Sequence, residues 1–267
     1  MIREPAVAGQ FYPANPASLR RVLESLLETH EPLLEARAVV APHAGYVYSG
    51  AVAGAVYGSV KLPKRVIILG PNHTGRGIPL SLYPSGEWRT PLGLVAIDAR
   101  MNDLLLEGCA GLHEDRAAHM REHSLEVQIP FLQALVPEFT FSAICVGTGD
   151  FASLDALGHA IALGIQSLGE SVLIVASSDM THYEPAEAAR EKDRLAIDKV
   201  IAVDPRGLHD VVIERDISMC GFAPAVSALT ACRDLGASSG KLIRYSNSGE
   251  VSGDYDRVVG YAGMAVS

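Results

Sequence analysis

Short runs of uninterrupted apolar residues, each about the length of one strand, recur along this chain between longer stretches of helical periodicity. Strands are predicted at Ala38–Ala41, Arg65–Gly70, Ser142–Gly147, Ser171–Ser177, Lys241–Tyr245 and Val258–Val266. Several of these are apolar at consecutive positions rather than at alternate ones. A strand wetted on one face alternates, whereas a strand covered on both faces does not. Helices on both sides of a sheet supply that cover. The pattern therefore predicts an α/β fold of three layers, α/β/α, with a mainly parallel central sheet.

The intervening segments carry helix signals. Asn15-Pro16 opens the first, with Asn as N-cap and Pro at the first helical position, and Leu19, Val22, Leu23 and Leu26 form its apolar stripe. Ser49–Val60 is rich in Gly and Ala and is expected to pack closely on the sheet. Further helices are predicted at Met101–Cys109, Ser124–Leu135, Ser153–Leu168, Pro185–Val203 and Pro224–Leu235. No repeat, charge run or Pro/Gly/Ser linker divides the chain, so residues 1–267 read as one domain.

Composition removes several function classes. With 48% apolar residues and no low-complexity tract, extended disorder is excluded. A formal net charge of −9 argues against a surface built to neutralise nucleic-acid phosphates or to dock on anionic lipid. No apolar run approaches the roughly 18–20 residues of a membrane span. The start, MIREPAVAGQFYP, has charges and prolines where a signal peptide needs a continuous apolar segment. Cys109, Cys145, Cys220 and Cys232 form no CxxC pair, so reduced cysteines and a cytoplasmic location are expected.

The residues that follow the strands point to chemistry. Ala38–Ala41 runs into Pro42-His43-Ala44-Gly45-Tyr46, Arg65–Gly70 into Pro71-Asn72-His73-Thr74-Gly75, and Ser171–Ser177 into Ser178-Asp179-Met180-Thr181-His182. In an open parallel sheet the carboxyl ends of the strands share one edge, where ligands sit. Three strand ends thus deliver histidine, with an aspartate, to one place. Arg121-Glu122-His123-Ser124-Leu125-Glu126 precedes an apolar helical stretch and reads either as a helix cap with a solvated face or as part of the site. Ser218-Met219-Cys220-Gly221-Phe222-Ala223-Pro224 puts a cysteine at a helix start, where the dipole favours thiolate. Imidazoles with a thiolate suit iron, copper or zinc and suit magnesium or calcium poorly.

GQFYP, PHAGYVYSG, LGPNHTG, TPLG, EHSLEVQIPF, SSDMTHY and MCGFAP stand in the order found in the Memo-like proteins, which the chain resembles from Ala8 to about Tyr261. The resemblance implies a fold similar to the class III extradiol ring-cleaving dioxygenases. It implies His43, His73 and Cys220 as metal ligands, with iron(II) as the first candidate and copper or zinc as others. Asp179 and His182 would line the same pocket, His123 and His182 would be its acid/base histidines, and Tyr48 would be an aromatic substrate-binding residue. Those dioxygenases use glutamate where this chain has Cys220, and a thiolate shifts the metal preference toward copper or zinc.

Two main functions follow from the resemblance. One is a metal-dependent oxidoreductase, dioxygenase-like, acting on a small aromatic or heterocyclic molecule. The other is a non-catalytic adaptor whose pocket holds metal or a peptide, and a radical SAM protein is an implied partner. Hydrolysis by a metal-bound water beside Asp179 is a third reading and an inert pocket a fourth. The pair His123 and His182 favours chemistry, because a pure binding pocket has no need of two proton carriers. No arginine cluster of the kind that reads phosphate adjoins the motifs, which weakens the phosphopeptide version.

Overall fold

The computed structural model describes residues 1–28 and 31–267. The strands are β1 (Ile2–Arg3), β2 (Ala38–Ala41), β3 (Arg65–Pro71), β4 (Leu80–Leu82), β5 (Glu87–Thr90), β6 (Gly93–Ile97), β7 (His113–Glu114), β8 (Thr140–Val146), β9 (Leu173–Ser177), β10 (His182–Glu184), β11 (Gly240–Asn247) and β12 (Val258–Val266). The helices are α1 (Pro16–Leu26), α2 (Tyr46–Tyr57), α3 (Ala99–Gly108), α4 (Ile129–Leu135), α5 (Phe151–Leu168), α6 (Ala186–Ile201), α7 (Pro205–Glu214), α8 (Phe222–Asp234) and α9 (Gly249–Ser252). All strands join one sheet along the order β1-β5-β6-β8-β3-β9-β2-β12-β10, with β11 on β12 and β4 between β8 and β7.

The middle of the sheet, β6-β8-β3-β9-β2, is parallel, and β12 joins β2 antiparallel. Consecutive apolar residues in these strands serve two cores. Ile67 and Leu69 of β3, Ile174 and Ala176 of β9, and Ala38 and Val40 of β2 pack with α3, α5, α6, α7 and α8. Their neighbours Val66, Ile68, Leu173, Val175, Val39 and Ala41 pack with α1, α2 and α4 on the other side. Side chains alternate across a strand, so a strand apolar at every position is one sandwiched between helices. The predicted three-layer α/β/α arrangement is the one observed.

Register sets the edge that matters. Ala41 pairs with Ser177, Leu69 with Ala176, and Pro71 with Val146, so β2, β9, β3 and β8 end level with one another. The loops after β2, β3 and β9 therefore leave the sheet side by side. Asn15 caps α1 as predicted, its side chain accepting from the Ser18 N–H at 3.0 Å. Contrary to the expectation that no segment approaches the length of a membrane span, α5 is long and apolar enough to cross one by length and composition, and half of it is buried within the fold. Leu154, Leu157 and Ile161 of α5 are fully buried core residues.

α5 and α8 approach closely at Gly158, where an added Cβ would lie 2.5 Å from the Thr230 Cβ and 2.6 Å from the Ser227 carbonyl oxygen. Gly158→Ala should destabilise the protein by about 1–3 kcal/mol, since overpacking outweighs the better helix propensity of alanine. Urea unfolding measures this. An unchanged midpoint would show that the two helices can separate at no cost.

Candidate metal centre

His43 stands two residues beyond β2 and is buried. Its backbone N–H donates to Asp179 Oδ1 at 2.7 Å, and the Ala44 N–H reaches the same oxygen at 3.3 Å. This ties the loop after β2 to the loop after β9. The His43 ring has Nδ1 2.9 Å from Ser177 Oγ and Nε2 3.2 Å from Cys220 Sγ. His73 stands two residues beyond β3. Its N–H donates to Glu122 Oε2 at 2.7 Å and its Nδ1 lies 2.9 Å from Glu122 Oε1. The same Oε1 accepts the N–H groups of His123 at 3.0 Å and Ser124 at 2.9 Å.

Arg121 is exposed, but from Glu122 to Glu126 the segment is neither a solvated face nor a simple cap. Glu122, Ser124 and Glu126 are fully buried. The reading of a solvated face fails because both carboxylates are buried and find N–H and O–H donors inside the protein.

Three imidazoles converge. The His73 and His123 rings stack at 4.6 Å and 22°, and the His43 ring stands edge-on to both, at 5.1 and 5.4 Å. One nitrogen from each ring lies within 4.8 Å of the other two, and among the described residues these are the side chains close enough to share an ion. His43 and His73 are two of the ligands the resemblance implied. His123, expected as an acid/base residue, sits among them, while Cys220 touches the group through His43.

Burial fixes the charge states. It holds His43 well below the usual imidazole range, and the neighbouring His123, His73 and His182 add to the effect. His123 is pushed down to about 4, chiefly by burial, with Glu122 opposing. Both are neutral at pH 7, the form in which a ring nitrogen offers a lone pair. For Glu122, burial acts upward, but the His73 hydrogen bond and charge, the Ser124 N–H and His123 together hold it down at about 2. Asp179 goes the other way. Burial pushes it up to about 6, against the N–H groups of His43 and Ala44 and the nearby His182 and His73.

Cys220 departs from expectation. It lies just before Gly221, the N-cap of α8, yet burial and the Asp179 carboxylate push its thiol upward rather than down. The helix dipole does not overcome removal from water beside a negative charge.

His182 opens β10. Its N–H donates to Ser218 Oγ at 2.8 Å, and its Nδ1 lies 2.9 Å from the Ser218 carbonyl. A carbonyl only accepts, so Nδ1 donates to it and Nε2 is the nitrogen turned away from this anchor. Tyr183, next in sequence, holds φ at 60°, a strained backbone beside the site. Tyr48, in the first turn of α2, is 41% exposed. It lies near the buried Tyr261, whose hydroxyl is pushed up by burial, Asp179, Tyr48 and Tyr183. Sequence reasoning passed over Tyr261, Ser177, Gln128 and Phe11. Phe11, whose ring is 4.7 Å from the His123 ring, belongs to the GQFYP motif but had no role there.

The family model for the Memo-like protein matches residues 3–265. A MEMO1 family protein of Methanopyrus kandleri is 42% identical over 278 residues, spanning 99% of this chain and 98% of the relative. A MEMO1 family protein of Aquifex aeolicus is 42% identical over 266 residues, spanning 98% of each. Among solved structures, the uncharacterized protein JW3007 from Escherichia coli K12 superposes with a TM-score of 0.56 at 12% identity, over 85% of this chain and 98% of that one. At that identity the likeness is one of fold.

Cys220 is only partly buried, whereas Cys109, Cys145 and Cys232 are buried. In metal-free protein an alkylating reagent should therefore label Cys220 first. Because its thiol is raised, the labelling rate should still be climbing at pH 9. Mass spectrometry of a labelling time course at several pH values reads both. A plateau below pH 8 would mean a stabilised thiolate.

Proposed function

The chain belongs to the Memo-like protein family, and from that premise we propose that it is a metal-dependent oxidoreductase that uses non-haem iron to act on a small aromatic or heterocyclic substrate. The carrying observation is the convergence of His43, His73 and His123 within 4.8 Å beside the buried Asp179. His43 and His73 would hold the metal, with Cys220 or His123 as third donor. A sulfur and an imidazole nitrogen on one tetrahedral ion lie about 3.5 Å apart, close to the 3.2 Å between Cys220 Sγ and His43 Nε2. Copper or zinc suits the same donors.

When bound, the metal supplies electron-transfer chemistry that these side chains lack. The rest of the task falls to the chain. Asp179, which holds the His43 and Ala44 N–H groups through Oδ1, offers Oδ2 as the group to take a proton from a substrate hydroxyl and return it. His182, its ring anchored at Ser218 through Nδ1, presents Nε2 as a second group to exchange a proton with the substrate. Tyr48 supplies an exposed aromatic wall for a planar substrate. The buried ring of His43 and the Phe11–His123 contact keep water from the inner side.

Protein reconstituted anaerobically with iron(II) should consume oxygen when given a member of a panel of catechol-like and heterocyclic compounds. His43→Ala and His73→Ala should lose most bound metal while remaining folded. His182→Ala should keep its metal and lose turnover by roughly 10²- to 10⁴-fold. Metal analysis of Cys220→Ala and His123→Ala identifies the third donor, since only the ligand variant loses metal. A fully loaded parent with no oxygen uptake on any compound removes the oxidoreductase reading and leaves a metal-binding adaptor.

A further inference from the structure

The buried polar groups behind His43 form a chain in which every proton has one available position. Gln128, at the end of the EHSLEVQ segment, is fully buried. Its Nε2 lies 3.0 Å from the Pro42 carbonyl, 3.4 Å from the Ala41 carbonyl and 2.8 Å from Ser177 Oγ. Carbonyls accept only, so the amide nitrogen must face them, and Oε1 faces the other way. There it accepts from the Tyr57 hydroxyl at 2.8 Å.

Ser177 has one hydroxyl proton, and the Ser124 carbonyl lies 2.6 Å from its oxygen. That carbonyl takes the proton. The Ser177 oxygen is left with lone pairs, one accepting from Gln128 Nε2 and the other facing His43 Nδ1 at 2.9 Å. A hydroxyl whose proton is committed elsewhere can only accept from the ring. His43 Nδ1 therefore carries the hydrogen and Nε2 is bare. The bare nitrogen is the one 3.2 Å from Cys220 Sγ.

We propose that Ser177, held by Gln128 and Tyr57, is a positioning residue that fixes His43 in its Nδ1–H tautomer and turns the Nε2 lone pair toward Cys220 and the imidazole cluster. Nothing on the ring side selects this tautomer, because both the Cys220 thiol and Asp179 Oδ2, 4.0 Å from Nε2, could equally face an Nε2–H. The selection comes from behind, through the strand end of β9 and the segment that also carries Glu122. Glu122 acts in the same way on His73, accepting at Nδ1. The inference deepens the metal reading and rests on it for the predicted affinity, whereas the tautomer is a property of the metal-free protein.

The test is nitrogen-detected NMR of metal-free protein labelled with 15N-histidine at pH 7, with the His43 signals assigned by their loss in His43→Gln. The parent should show a protonated Nδ1 and a bare Nε2. Ser177→Ala should bring in the Nε2–H form and weaken iron(II) or zinc binding by roughly 10- to 100-fold, the usual cost of losing a partner that orients a ligand. Ser177→Thr, which keeps the hydroxyl, should retain the parental tautomer. A parent in the Nε2–H form overturns the proposal. So does a folded Ser177→Ala whose tautomer and metal affinity both match the parent. A parent with the predicted tautomer that binds no metal supports the proposal and overturns the metal reading instead.

Discussion

Two buried carboxylates, four residues apart in one short segment, hold the working edge of this protein together. Glu126 accepts from Arg3 Nη1 at 2.6 Å, the Ala6 N–H at 2.7 Å, the Val7 N–H at 3.1 Å and the Tyr12 hydroxyl at 2.6 Å. Glu122 accepts from the His73 backbone and ring and from the N–H groups of His123 and Ser124. Arg3 is itself fully buried, lies 3.9 Å over the Trp88 ring and donates to the His119 and Glu122 carbonyls. Leaving one such charge without its partner typically costs about 3–5 kcal/mol, so the arrangement is close to all-or-none. Glu126 fastens the N-terminal segment, which carries Phe11, and Glu122 fastens the loop carrying His73. Without them two walls of the site have no fixed position.

The parallel sheet does the complementary work. Because β2, β3 and β9 end in register, His43, His73 and Asp179 start from neighbouring points two residues beyond their strands. A sheet edge alone would give loops free to diverge. The Asp179 carboxylate prevents this by accepting the backbone N–H of His43, so that a charged side chain from one loop sets the path of another. The ring of His43 is then oriented by Ser177, a β9 residue on the same strand end.

This division explains what could be read from the sequence. The central strands were legible because continuous apolar runs have few other uses, and β2 and β12 match the expected bounds. The short strands β4 to β7 and the helix α7 were not, since they carry mixed residues and owe their form to neighbours rather than to periodicity. α2 begins at Tyr46 rather than Ser49; its glycines pack against chain from α1, with a Cβ at Gly54 only 2.1 Å from the Leu26 carbonyl. In the site, His43, His73 and Asp179 were visible as strand-end residues. Glu122 and Glu126 were visible only as members of a motif, because glutamate before a helix ordinarily meets water. Ser177 and Gln128 also lie in quoted motifs, SSDMTHY and EHSLEVQIPF, but their roles gave no signal, since their bonds join segments 49 to 134 residues apart.

Glu122 and Asp179 show how one site assigns different work to the same functional group. Both are buried, and burial alone raises a carboxylic acid. Glu122 meets a ring nitrogen and three backbone N–H groups, and it stays charged down to about 2. Asp179 meets only two backbone N–H groups, and burial prevails at about 6. A group that never titrates near neutral pH cannot carry a proton in a cycle, but it can hold its neighbours in place. A group near its midpoint can do the former. Environments that drive two acids apart give one a fixed charge and leave the other able to titrate. The raised thiol of Cys220 follows from burial first and then from Asp179, because an ionised carboxylate disfavours a second anion beside it. A cation placed among His43, His73 and Cys220 would reverse that balance, stabilising carboxylate and thiolate together.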